Sequence, residues 1–295
     1  MDDMLRFSFR RFIAPALRKP LITSRGDFKP EIVVRMDGPL GMQMWQYSIG
    51  RAAGIASELP VLYDLRSFGK NVCELEDSFP DILLWKAPDD LAARYSLFFY
   101  TGDPGERNAD GKDFFASKSP RYLGGSYLDA IYVDPQGDEL RDEFTFKPVL
   151  SEVKRSVFSS VYLAEFPVAV HLAPGLVSGS FFRAAIRNVS ERVSPGKATF
   201  FVFSKSYADN RMILEDLDGE FVYVETNENR ADDMYLMSRC RHFIISNSLF
   251  GWWSAWLSRH HADKIVVMPD KWSPQEPQNE ALAMALDEWT VLRAD

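Results

Sequence analysis

Phe243-Ile-Ile-Ser246-Asn247-Ser248-Leu-Phe-Gly-Trp252-Trp253-Ser-Ala-Trp256-Leu257 decides the fold. An apolar, β-branched run stops at a cluster of small polar residues, and large apolar side chains then recur at helical spacing. The stretch reads as a strand over 242–245 followed by a helix over 248–259. Working outward, the same alternation recurs. Strands fall at 168–171, 199–203, 221–224 and 264–267, with helices at 180–192, near 208–215 and at 231–240. Strands alternating with helices of this length imply a parallel sheet covered on both faces, a Rossmann-like α/β unit. Ligands of such sheets collect at the carboxyl ends of the strands, which is where Ser246, Asn247 and Ser248 stand. Unpaired amides at the start of the following helix suit a diphosphate there; equally, one of these residues can simply cap the helix.

The N-terminal half is less regular. Glu31 to Met36 reads as a strand, Asp37-Gly-Pro-Leu-Gly41 as a turn, and the residues through Ala56 as a helix. Gly38 and Gly41 frame a junction whose amides can face an anion or a sugar hydroxyl, with the Gln43 side chain as a further donor. Val61-Leu-Tyr63 is a second strand, residues 102–120 read as a surface loop, and a helix runs from about Lys147 to Tyr162. The division expected is a basic amphipathic segment at 1–30, an α/β domain at 31–160 and the Rossmann-like domain at 161–295.

Composition excludes several classes of function. A net charge of -8 disfavours nucleic acid as the main partner. Two cysteines without ligand spacing, Cys73 and Cys240, point to neither a disulfide framework nor a zinc site, and suit a reducing cytoplasm. No apolar run is long enough to span a bilayer. Residues 4–19 nevertheless alternate apolar and basic side chains at helical spacing, which fits either an interfacial helix on the inner face of the membrane or one packed on the protein's own surface. P-loop, serine-hydrolase and zinc-helix motifs are all missing. Asp216-Leu-Asp218 matches a loose metal-diphosphate pattern, but Gly219 behind it makes turn chemistry the simpler account.

Gly38-x-Leu40-Gly41-x-Gln43-Met44-x-Gln46-Tyr47, Tyr122-Leu123-x-Gly125, Phe203-Ser204, Asp233-Met-Tyr-Leu-Met-Ser238, the Ser246 to Leu257 block and Lys264-Ile-Val-Val-Met-Pro269-x-Lys271-Trp272 form a collinear series. This series resembles the successive motifs of the α-1,2-fucosyltransferases. The resemblance implies a GT-B-like α/β fold of two Rossmann-like domains facing a cleft. It further implies inverting transfer of fucose from GDP-fucose to a galactose 2-hydroxyl of a surface glycan, with no metal and no cofactor beyond the donor itself.

The family's diphosphate-gripping motif, His-x-Arg-Arg-Gly-Asp-Tyr, is altered here. The chain has His171-Leu-Ala-Pro-Gly-Leu176, so the histidine stays while both arginines and the aspartate are gone. Losing a charge-assisted contact to a buried diphosphate costs on the order of 2 to 5 kcal/mol if nothing replaces it. Lys205, where the family usually has aspartate, stands after Ser204 at the end of a strand and is the expected substitute cation, or else a solvated loop lysine. Arg183 is a second candidate for the leaving group, and His171 and Asp37 are the candidates for the base. Three readings stay open: an active fucosyltransferase, a transferase of the same fold with another donor, and an inactive member that binds glycan.

Overall fold

The computed structural model describes residues 29–69, 72–102, 115–173, 177–205, 213–215, 217–226, 229–259, 263–272 and 278–294. The amphipathic segment at 4–19, Asp216 and most of the helix expected near 208–215 lie outside the described residues.

Two parallel sheets build the molecule. In the N-terminal lobe, β1 (Ile32–Arg35), β2 (Val61–Asp64), β3 (Tyr100–Thr101) and β4 (Arg121–Leu123) lie in the order β2-β1-β4-β3. In the C-terminal lobe, β5 (Phe166–His171), β6 (Ala198–Ser204), β7 (Glu220–Glu225), β8 (His242–Ile244), β9 (Val266–Pro269) and β10 (Thr290–Leu292) lie in the order β10-β9-β8-β5-β6-β7. Every pairing is parallel. The sequence Ala-Thr-Phe-Phe-Val-Phe-Ser of β6 is buried throughout, as an inner strand covered on both faces must be, whereas β7 at the sheet edge is only partly covered. This is a GT-B-like α/β architecture.

Helix α1 (Leu40–Ser57) follows β1 directly. Gly38 precedes it at φ +72°, the left-handed region that favours glycine. Twelve of its eighteen residues are buried, which is more than an amphipathic surface helix needs. Its buried hydroxyls are satisfied within the helix, Ser48 donating to the Met44 carbonyl and Ser57 to that of Ala53. Helices α2 (Glu74–Ser78), α3 (Asp89–Phe98) and α4 (Gly137–Glu143) complete the lobe, and α5 (Glu152–Leu163) links it to β5. Beyond β5 come α6 (Gly179–Val193), α7 (Arg230–Ser238), α8 (Leu249–Trp256) and α9 (Gln278–Met284).

The two sheets are separate but the core beneath them is continuous. One apolar cluster joins Ile32, Val34 and Trp45 of the N-terminal lobe to Ala169, Phe201, Trp252 and Trp253 of the C-terminal lobe. Its centre is a set of edge-on indole contacts, Trp45 to Trp252 at 5.1 Å and Trp252 to Trp253 at 5.0 Å between ring centroids. At this seam a Cβ on Gly41 would lie 3.1 Å from backbone and side-chain atoms of Leu249 and from the Phe250 nitrogen, so the glycine lets α1 and α8 approach. Its carbonyl accepts a hydrogen bond from Trp253 Nε1 at 2.9 Å.

Candidate active site

A cleft of about 650 Å³ opens between the lobes, and strand ends build it. From the C-terminal sheet, His171 ends β5, Ser204 ends β6 with Lys205 following it, Thr226 follows β7, and Trp272 follows β9. Pro39 to Met42 supply the opposite wall from the turn after β1. Register draws the C-terminal set together: Leu172 N donates to Phe203 O at 3.0 Å and Thr226 N to Ser204 O at 2.9 Å. This is the crevice at which parallel α/β sheets bind ligands.

The Ser246-Asn247-Ser248 cluster divides its work. Ser246 Oγ lies 2.8 Å from His171 Nδ1 and is fully buried. Asn247 Nδ2 donates to the Trp272 carbonyl at 2.7 Å. Ser248 caps α8, its Oγ accepting from Phe250 N at 3.2 Å. The helix therefore starts at Leu249, one residue later than expected. With the Ser248 and Phe250 amides engaged, the Leu249 amide is without a hydrogen-bond partner among the described residues, and Leu249 lines the cleft. The first turn of α8 carries no acidic residue, so the positive end of the helix dipole meets the cleft uncompensated.

His171 packs against Phe250, ring centroids 5.4 Å apart, and burial pulls its pKa down to about 4. It is neutral at pH 7: able to accept a proton, but a weak base. A histidine whose pKa is depressed on folding subtracts stability as pH falls, because the unfolded chain takes up the proton first. We expect thermal stability to drop between about pH 6.5 and about pH 4, and a His171→Asn variant to lose less over that window in a pH series of melting curves.

The other expected site residues are placed as follows. Lys205 is exposed and Ser204 buried, and both line the cleft. Gly41 lines it too, whereas Gly38 is exposed and outside that lining. The Gln43 amide is used internally, Nε2 donating to Gly38 O at 2.9 Å and Oε1 accepting from Leu75 N at 3.1 Å, so it braces the turn rather than facing a sugar. Asp37 pairs with Arg35 at 2.7 Å and accepts from Gln46 Nε2 at 2.8 Å, outside the lining of the cleft. Arg183 donates to Ile213 O at 3.2 Å on α6 and also lies outside that lining.

Two charged cleft residues were not among the expected site residues, although Asp233 opens one of the motifs quoted above. Arg230, the first residue of α7, pairs with Glu74 of the N-terminal lobe at 3.5 Å. Asp233, 1 % exposed, is held by Lys154 of α5 at 2.7 Å. Arginine at the start of a helix after a strand was the available signal for the first. Among the described residues no cluster of His, Cys, Asp or Glu is arranged to hold a metal, and no helix is long and apolar enough to cross a membrane.

Two parallel α/β lobes, a cleft at their strand ends and a helix N-terminus facing it make up an architecture of GT-B type. Residues 173–293 match the model of glycosyl transferase family 11. The chain is 25% identical to the Escherichia coli alpha-1,2-colitosyltransferase, over 84% of this chain and 94% of that protein. It is 30% identical to the E. coli O-antigen biosynthesis glycosyltransferase WbnK, over 51% of this chain and 49% of that protein. Among solved structures it is similar to an Arabidopsis thaliana FUT1 mutant in complex with GDP, with a TM-score of 0.49 and 14% identity over 79% of this chain and 70% of that one. The family 11 match covers the C-terminal lobe, and the motif series above carries the likeness into the N-terminal lobe.

Proposed function

We propose that the chain is an inverting transferase that moves fucose from GDP-fucose to a galactose 2-hydroxyl of a surface glycan. The observation that carries this reading is the exposed Lys205 in the same cleft as the uncompensated N-terminus of α8. In the reaction the acceptor hydroxyl forms a bond to the anomeric carbon and loses its proton to a base, while the bond from that carbon to the diphosphate oxygen breaks. Charge grows on the departing GDP, where a cation and a helix N-terminus stabilise it most. Neutral His171 is in the protonation state a base requires, though its low pKa limits its strength.

A second reading has its own support. The relative matched over most of both chains is named a colitosyltransferase, and colitose is fucose without its 3-hydroxyl. The walls of the cleft are mostly apolar, with Leu40, Met42, Leu172 and Phe250 among them, which suits a deoxygenated sugar. Calorimetry against a panel of sugar nucleotides, followed by linkage analysis of the product on a galactose-terminated acceptor, separates the two. Preference for GDP-fucose with a 1,2-linked product supports the first reading, and preference for GDP-colitose the second. Acceptor binding with no turnover of any donor would mean a glycan-binding protein instead. Unchanged donor affinity in Lys205→Ala would remove that lysine from the diphosphate site. The basic amphipathic residues 4–19 suit a peripheral contact with anionic lipid, which co-sedimentation with vesicles tests.

A further inference from the structure

Arg230 is in an unusual position for an arginine with no task. It opens α7, where its positive charge opposes the helix dipole, so it does not serve the stability of that helix. It lines the cleft and also a neighbouring pocket of about 430 Å³, so its side chain belongs to the wall between them. Its anionic partner, Glu74, comes from α2 across the interlobe seam. The pair is loose: 3.5 Å apart, with side chains 39% and 41% exposed. Such a pair contributes little and is readily exchanged for a better anion. The acidic residue lining the cleft among the described residues, Asp233, is already neutralised at 2.7 Å by Lys154. Among the described residues lining the cleft, Lys205 and Arg230 are the cations, and the segment after β5 supplies none in its sequence.

We infer that Arg230 is a second cation for the donor's diphosphate, and that Glu74 is the anion it gives up when the donor binds. The inference rests on the proposed sugar-nucleotide activity. It adds a residue from a different strand end, Arg230 after β7, to the role that the loop after β5 has lost. It also makes donor binding break one ion pair between the lobes, so that occupancy of the cleft is coupled to the seam between α2 and α7.

GDP binding by calorimetry tests this in four proteins: the wild type, Arg230→Ala, Glu74→Gln and the double variant. Arg230→Ala should weaken GDP binding roughly 10-fold or more. Glu74→Gln should tighten it by about 3-fold or more, since the arginine then has no competing partner. In the Arg230→Ala background the same Glu74→Gln change should have no effect, an outcome that a merely structural role for either residue does not produce. Arg230→Gln, which keeps the stem and polar head, guards against a folding defect in the alanine variant, and the melting temperature of each protein is read alongside. Wild-type affinity in both arginine variants would overturn the inference, as would a Glu74→Gln gain that persists without Arg230. Failure of the wild type to bind any nucleotide of the panel would overturn the proposed activity itself and this inference with it.

Discussion

Trp253→Ala should be among the most damaging single substitutions in this protein. The side chain is fully buried, packs edge-on against Trp252, Trp256 and Phe144, and donates its indole hydrogen across the seam to Gly41. Truncating a buried tryptophan costs about 3–5 kcal/mol through lost transfer energy and the remaining cavity. The hydrogen-bond loss leaves the Gly41 carbonyl without that donor. The variant should melt on the order of 10 °C lower, measured by circular dichroism. Trp253→Phe restores most of the apolar contact but not the hydrogen bond, so about 1–3 kcal/mol should still be lost. The activity of this milder variant is the more informative quantity, because Gly41 and the start of α8 line the cleft from different lobes. A misplacement of about 1 Å between reacting groups can cost 10²-fold in rate. Unchanged turnover in Trp253→Phe would show that this bond supports the fold alone.

The second large effect is expected at the Lys154–Asp233 pair. With side chains 10% and 1% exposed at 2.7 Å, it is the most deeply buried ion pair among the described residues. Asp233→Leu leaves the lysine charge buried without its carboxylate, a loss of about 3–5 kcal/mol. Replacing both members by apolar residues, Lys154→Met with Asp233→Leu, removes that penalty and should recover most of the stability in urea titrations. Because Asp233 also lines the cleft, the double variant divides structure from function. Restored stability with lost turnover would give the aspartate a part in binding or chemistry, and restoration of both would confine it to the fold.

Much of the C-terminal lobe was legible because each of its longer strands carries four or more apolar residues and is followed by a recognisable helix. β5 to β8 fall within two residues of the expected strands at each end, while β9 begins and ends two residues later than expected. The N-terminal lobe was harder to read for a physical reason. β3 and β4 have two and three residues, too few to display a period, and they flank the stretch 102–120 that reads as a loop. The last helix and strand, α9 and β10, gave no clear signal either. At the cleft, the positions of Lys205 and Ser248 followed from strand ends. The internal use of Gln43 did not, because a glutamine beside a glycine turn has the same sequence whether it faces a ligand or braces the backbone. Arg230 was hidden because a charged residue opening a helix usually faces water, and only the fold brings Glu74 to it from 156 positions away.

The indole-filled core under the cleft also bears on how proteins of this kind can be re-engineered. Exchanging whole halves between relatives is an obvious route to a new donor preference, since each sheet is drawn from one contiguous half of the chain. Here such a chimaera would divide Trp45 from Trp252 and Trp253 and ask two foreign surfaces to re-form one interior. Grafts confined to the strand-end loops leave that interior intact.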